Sequence, residues 1–175
     1  MTTRADTQGM LRRIGALDDD DIDLGGAALL LAALDRPGVP LDRYRHHIGQ
    51  LAHEVADRVD DKPGARARVD ALNGVILGDY GYKGDQQTYD DLQNANLIRV
   101  IDRRKGLPIA LGILYIACAE ALGWDVVGLN FPGHFLLRLT DGPERVMFDP
   151  FNGGGAVDVA RLRAMVKQAL GGDAE

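Results

Sequence analysis

The chain has 175 residues, of which 46% are hydrophobic and 26% charged, a composition typical of one folded domain with a sizeable core. Its formal charge of −6 repels phosphate backbones and anionic lipids on average, so we expect neither nucleic acid nor a membrane as a partner. A single cysteine allows no internal disulfide, and the first residues, MTTRADTQGMLRR, lack the apolar stretch of a secretion signal, which predicts a cytoplasmic location.

The first two thirds of the chain predict helices. The apolar run LGGAALLLAAL follows an acidic run, DDDDID, which lies where a helix N-terminus favours negative charge. Further helices are predicted over about 41–60, 65–77 and 91–104, with a Gly- and Tyr-rich loop over 78–87. The last of them ends in RRKG, with basic residues in the final turn and glycine just after. Since no repeat or linker interrupts the chain, we expect a single domain over residues 1–175 with flexible ends at 1–20 and 171–175.

One face of the helix predicted over 41–60 raises the question of a metal. It carries His46, Gln50, His53 and Asp57 at steps of four and three residues, a geometry that can hold a cation. However, the HExxH pattern is missing and nothing else in the chain obviously completes four ligands. We therefore predict no metal site and no cofactor.

An apolar helix and a sheet are predicted for the last third. From Pro108, which suits a first helical turn, to Leu122 the only charge is Glu120, so this helix must be enclosed on every side. Its apolar run, 13 residues by the printed sequence, is shorter than the roughly 20 residues that span a bilayer. Antiparallel strands are predicted over 124–131, 134–139 and 145–150, followed by an amphipathic helix over about 157–170. This order of elements indicates an α+β fold.

The hairpin places two polar side chains near each other. A two-residue Asp141-Gly142 turn pairs His134 with Asp149, and a four-residue loop leaves them diagonal on the same face, whereas a three-residue loop separates them. Because Pro143 cannot donate the hydrogen bond that closes a two-residue turn, both even-length loops stay open. The pair is either part of a functional site or a histidine that satisfies a buried carboxylate.

The motifs from residue 92 to residue 154 resemble those of SirB-type proteins, invasion-regulator relatives within the transglutaminase-like superfamily. They run from ANLIRVIDRRKGLPIALGI through GLNFPGHF to FDPFNGG. This resemblance implies a transglutaminase-like (papain-like) core, in which N-terminal helices and a buried central helix pack on a small antiparallel sheet. It also implies that His134 and Asp149 occupy the positions of the superfamily's catalytic His and Asp.

The nucleophile of the superfamily's thiol enzymes, a cysteine at the start of the central helix, is replaced here. That first turn reads LPIA, and the sequence contains no serine. Cys118 lies ten residues past Pro108, about 15 Å along a helix. Thr88 falls in a loop and Thr140 at the far end of the hairpin, and Lys105 is better explained as a cation at a helix C-terminus. We predict that the site has no side-chain nucleophile.

Two functions from different classes follow. One is a pseudoenzyme, a regulatory module that binds a protein or peptide in the former active-site groove, with Asn94, Lys105, Pro108 and Asn152 as binding residues. The other is a peptidase- or amidase-like hydrolase in which His134 and Asp149 act as a general-base pair on water. Small-molecule binding in the groove is a third option, and either asparagine alone is explained as well by a helix cap or a turn. The partner's identity, the oligomeric state and the pathway are left open by the sequence.

Overall fold

The computed structural model describes residues 3–171, which form helices around one central helix and a small antiparallel sheet. This is the predicted α+β class. The α-helices are α1 Arg4–Ile14, α2 Leu24–Leu34, α3 Asp42–Ala56, α4 Ala65–Asn73, α5 Leu97–Arg103, α6 Pro108–Ala121 and α7 Val159–Ala169. The strands are β1 Lys83–Gly84, β2 Lys105–Gly106, β3 Asp125–Phe131, β4 His134–Asp141 and β5 Glu144–Phe148.

The central helix α6 is enclosed from Ala110 to Ala119, as its composition predicts, whereas Ile109 near its start and Glu120 and Ala121 at its end are exposed. It packs against α2, α3 and α5 on one side and against β3 and β4 on the other. Leu111, Leu114 and Tyr115 have no exposed surface. The helix approaches β4 closely at Gly112, because a Cβ atom placed there would lie 2.6 Å from Cε1 of Phe135. Glycine is therefore required at this crossing.

The sheet is a meander in the order β3-β4-β5, with two-residue turns between its strands. Thr140 pairs with Arg145, which is the register of the four-residue-loop alternative. The ladder extends one pair further, so the turn is Gly142-Pro143, and Gly142 has a φ of 54°. Glycine at the first turn position accepts this positive φ, and the shift from Asp141-Gly142 moves every partner across the hairpin by two residues.

Four local predictions differ from the structure. Residues 4–14, within the segment predicted to be a flexible end, form α1, which begins with a capping box between Thr3 and Asp6. Helix α4 gives way to a π-helical segment at Gly74–Asp79. The helix predicted over 91–104 is divided into a 3₁₀ turn, Leu92–Ala95, and α5, because the side chain of Asn96 caps a new helix. Within the predicted loop 78–87, β1 pairs in parallel with β2.

Helix α5 ends differently from the prediction. The glycine after RRK does not cap α5; Arg104 does, with a left-handed φ of 59°. Of the other predicted end, residues 172–175 lie outside the described residues. Within residues 3–171, the structure contains no helix with the length and apolar character needed to cross a bilayer.

Candidate functional site at the His134–Asp149 pair

The predicted contact between the histidine and the aspartate is present. Nδ1 of His134 lies 3.6 Å from Oδ2 of Asp149, within ion-pair range and longer than a hydrogen bond. His134 is the first residue of β4, directly after the β3–β4 turn, and Asp149 directly follows β5. The His134 side chain keeps 26% of its surface exposed and that of Asp149 only 7%. The contact uses Nδ1, so the other ring nitrogen, Nε2, takes no part in this ion pair.

The carboxylate of Asp149 is held by neutral donors from the residues that follow it. Oδ1 accepts the backbone N–H groups of Phe151 at 3.1 Å and Asn152 at 3.2 Å. Oδ2 accepts the side-chain amide of Asn152 at 2.8 Å. These three bonds satisfy a buried ionisable group without neutralising it. Asp149 can therefore fix the orientation of the imidazole through its charge.

A groove of about 330 Å³ runs beside the histidine. It lies between the start of α6, the loop that precedes the 3₁₀ turn Leu92–Ala95, and the turn between β3 and β4. Most of its walls are apolar or aromatic, and its polar side chains come from one asparagine, one tyrosine and the histidine. The lining residues are Tyr89, Leu107, Pro108, Ile109, Asn130, Phe131, Gly133, His134 and Phe135.

None of these groove-lining residues is a cysteine, serine, threonine or lysine. Cys118 has no exposed surface, and burial raises the pKa of its thiol to about 12, so the thiol is protonated at neutral pH. The hydroxyl of Thr88 donates to Asp85 at 2.6 Å. Thr140 lies six residues along β4 from His134, about 20 Å at the rise of a strand. The thiol of Cys118 is thus enclosed in the core, the hydroxyl of Thr88 is bonded to a carboxylate, and Thr140 lies at the far end of the hairpin.

The structure places only some of the predicted binding residues at the groove. Pro108 lines the groove. Asn152 is not a lining residue, but its side-chain amide donates to Asp149. Asn94 does not fit the binding role that we predicted, because its side chain is completely buried and bonds to the carbonyl of Thr88 and to Arg103. Its own carbonyl accepts the N–H of Leu107 at 3.0 Å, so Asn94 positions the start of α6.

Lys105 belongs to an ion cluster that the sequence analysis missed. Its Nζ lies 2.8 Å from Oδ2 of Asp85, and Nη2 of Arg103 lies 3.4 Å from the same oxygen. Thr88 donates to this carboxylate through both its N–H and its hydroxyl. The Asp85 side chain is 2% exposed, and the hydrogen bonds from Lys105 and Thr88 hold its pKa well below the usual value. Lys105 therefore anchors the loop instead of capping α5.

A second network adjoins this cluster through the left-handed residue Arg104. The guanidinium of Arg104 lies 4.8 Å from the ring centre of Tyr82 and 5.3 Å from that of Tyr80. Its Nη1 lies 2.7 Å from Nε2 of His47. Arginine can only donate, so this nitrogen of His47 accepts and the ring is neutral. Burial and the nearby charge of Arg104 lower the pKa of His47 to about 4.

Comparison with known proteins confirms the predicted superfamily. A family model described as the transglutaminase-like superfamily matches residues 42–175. A UPF0162 protein of Xylella fastidiosa is 32% identical over 160 residues, which are 91% of this chain and 57% of that protein. A UPF0162 protein of Vibrio cholerae is 32% identical over 137 residues, which are 78% of this chain and 51% of that protein.

A shorter match joins the chain to a eukaryotic protein. Human F-box only protein 21 is 37% identical over 84 residues, 48% of this chain and 13% of that protein. The chain spans about half the length of the bacterial relatives that it matches. No solved structure matches it.

Proposed function

The chain belongs to the transglutaminase-like superfamily, and the residues that line its groove include no cysteine, serine, threonine or lysine. We therefore propose that it is a non-catalytic domain that binds an extended protein or peptide segment beside His134. The observation that carries the proposal is the chemistry of the groove walls. They offer apolar surface for side chains and one oriented imidazole for a polar group, a combination typical of recognition sites.

Exposure at the groove rim supports this proposal. Ile109 keeps 56% of its surface exposed in the first turn of α6, and Tyr89 keeps 49% on the facing loop. Large apolar side chains this exposed are available to a partner without any rearrangement of the core. Their position around a concave site distinguishes them from apolar residues scattered singly over a surface.

The sheet adds a reason to expect an extended ligand. Strand β3 lies at the edge of the sheet, since β4 is the strand that pairs with it. Two residues of β3, Asn130 and Phe131, also line the groove. An extended peptide at this edge can therefore bond to main-chain groups while its side chains enter the groove, which is the recognition mode called β-augmentation.

The test is a selection from a displayed random-peptide library on the immobilised protein, followed by calorimetry with synthetic peptides. We expect Ile109→Asp to weaken a selected peptide at least about tenfold, because it places a charge in an apolar wall. Leu31→Asp is the matched control, since Leu31 is 57% exposed on α2 and away from the groove. His134→Ala should also weaken binding while leaving the free energy of unfolding nearly unchanged.

Equal affinity of wild type and Ile109→Asp for every selected peptide would rule out the groove as the binding site. A selection that yields no peptide with measurable affinity would argue against peptide binding altogether.

Hydrolysis by a general base is the second candidate, and the contact between His134 and Asp149 is the observation that favours it. In this reaction Nε2 of His134 takes a proton from water while Asp149 fixes the tautomer of the ring. General-base catalysis contributes about a hundredfold to ten-thousandfold, whereas enzymes typically accelerate reactions by a millionfold or more. For this reason binding is the preferred function. Turnover of a peptide or ester library that disappears in His134→Ala would reverse that preference.

We propose a cytoplasmic location and a protein or peptide as partner. Nucleic acid and a membrane are not expected as partners, because the chain is acidic and its sequence has no basic stripe. The finer assignment within the superfamily, to the SirB type, rests on the motifs between residues 92 and 154.

A further inference from the structure

A second pocket, of about 440 Å³, lies on the loop that also forms one wall of the groove. That loop contributes Tyr89 to the groove and Gln86 with Gln87 to this second pocket. The remaining walls come from the paired strands β1 and β2 and from the end of α5. Three of the lining side chains are cations: Lys83, Arg103 and Lys105.

The charge that this pocket presents to solvent is positive. Among residues 3–171, Asp85 is the one acidic residue that lines it, and the side chain of Asp85 is 2% exposed. By contrast, Arg103 keeps 21% of its side-chain surface and Lys105 keeps 29%, and Lys83 is exposed. One further carboxylate, that of Asp91, lies 3.8 Å from Arg103 and is not part of the lining.

The buried carboxylate fixes two of these cations in place. Asp85 contacts Nζ of Lys105 at 2.8 Å and Nη2 of Arg103 at 3.4 Å, and Arg103 is held a second time by the side-chain oxygen of Asn94 at 3.0 Å. An ammonium has three N–H donors and a guanidinium has five, so both groups retain donors beyond those used by Asp85. Donors fixed in advance bind an anion with little further loss of side-chain entropy.

Such a pocket is unusual on a chain with a formal charge of −6. Most of the surface repels anions, so a concave site with three cations is where an anion is attracted. Gln86 and Gln87 add neutral amide donors at its rim. We propose that the pocket binds the anionic group, a phosphoryl or a carboxylate, of a ligand through Lys83, Arg103 and Lys105. This inference is independent of peptide binding in the groove.

The test is a titration of the isotopically labelled protein, followed by nuclear magnetic resonance, with inorganic phosphate in one arm and acetate in the other. Ionic strength is kept constant with sodium chloride, because screening alone weakens contacts between charges. We expect saturable shifts of the backbone amides of residues 83–87 and 103–106. Saturation by phosphate alone indicates a phosphoryl ligand, saturation by acetate alone a carboxylate ligand, and saturation by both an anion site that accepts either.

Lys83→Gln is the informative variant. Lys83 is exposed and forms no ion pair within residues 3–171, so its replacement removes a charge without disturbing the Asp85 cluster. We expect about tenfold weaker binding, the size of one charge-assisted hydrogen bond. Lys62→Gln is the control, because Lys62 is exposed and lies outside the pocket lining.

Three results overturn the proposal: no saturation with either anion, saturable shifts that map to other residues, or equal weakening by Lys83→Gln and Lys62→Gln. None of these results depends on whether the groove binds peptides.

Discussion

Within residues 3–171, the molecule has two buried carboxylates with different surroundings, those of Asp85 and Asp149. Asp85 is bonded to full cations, Lys105 and Arg103, and to the hydroxyl of Thr88. Asp149 is bonded to neutral amides and has the partly exposed imidazole of His134 as its ionisable neighbour. A hydrogen bond links the two regions, because the side-chain amide of Gln86 donates to the side-chain oxygen of Asn152 at 3.5 Å.

The difference separates an anchor from an orienting group. A carboxylate whose charge is offset by fixed cations holds elements together and has little effect on other groups. A carboxylate held by neutral donors has no fixed cation to offset its charge, so it can act on an imidazole beside it. On this comparison Asp85 fixes the loop that carries Tyr89, and Asp149 fixes the imidazole in the groove.

The largest effect is expected from Asp85→Asn. This change leaves Lys105 and Arg103 without their counter-charge and releases the base of the loop, so we expect Tm to fall by roughly 10 °C. Calorimetry measures the change, with Asp90→Asn as the control because Asp90 is an exposed neighbour on the same loop. A fall of only a degree or two would mean that Asp85 is not an anchor.

Asp85→Asn should also change how the free energy of unfolding depends on pH. The folded-state pKa of Asp85 is lowered, so its contribution is complete above the ordinary value of 3.8 and is lost as the pH falls below it toward the folded-state pKa. Urea unfolding of the wild type below about pH 4 should therefore show a steeper loss of stability than unfolding of Asp85→Asn.

A second pH effect comes from His47, which contacts Arg104, the residue between the two cations bound to Asp85. Its pKa is lowered from 6.5 to about 4, so between these values the unfolded chain binds a proton that the folded protein does not. Stability should fall by about 2 kcal/mol as the pH drops through this window, after allowance for the partial exposure of the ring. His47→Gln should remove this slope, whereas His46→Gln, at an exposed neighbour, should keep it. An identical slope in both variants would exclude His47 as its source.

The smallest of the three stability effects is expected at the orienting carboxylate. Asp149→Asn keeps the shape and the acceptor for the two backbone N–H groups, but it turns the second oxygen into a donor facing the amide of Asn152 and the ring of His134. We expect a loss of about 1.5 kcal/mol in the free energy of unfolding by urea. Asp125→Asn is the control, because Asp125 is an exposed residue at the start of β3. A loss larger than that of Asp85→Asn would reverse the two roles.

Local patterns in the sequence predicted the parts of this site that depend on short-range rules. Alternating residues in two strands and the even-length loops between them brought His134 and Asp149 to one face. The composition of α6 predicted its enclosure, and Pro108 marked its start. The turn itself was misplaced by one residue, because Gly142 needed the first turn position.

Other features arise from contacts between distant segments. The pairing of Asp85 with Arg103 and Lys105 joins residues about twenty apart, and no periodicity predicts it. Asn94 was predicted to bind a ligand, but its amide is used inside the protein. By contrast, the capping box of Thr3 and Asp6 was a readable local signal for α1 that the sequence analysis overlooked.

The turn between β3 and β4 has a consequence for how this domain tolerates changes of chain length. Phe131 pairs with His134 across only two residues, so the imidazole follows the turn immediately. Side chains alternate between the two sides of a strand, and one inserted or deleted residue here would either bulge the strand or turn the imidazole away from Asp149. A one-residue indel at Pro132-Gly133 that the strand does not absorb as a bulge would therefore separate the pair, although both polar residues would still be present in an alignment.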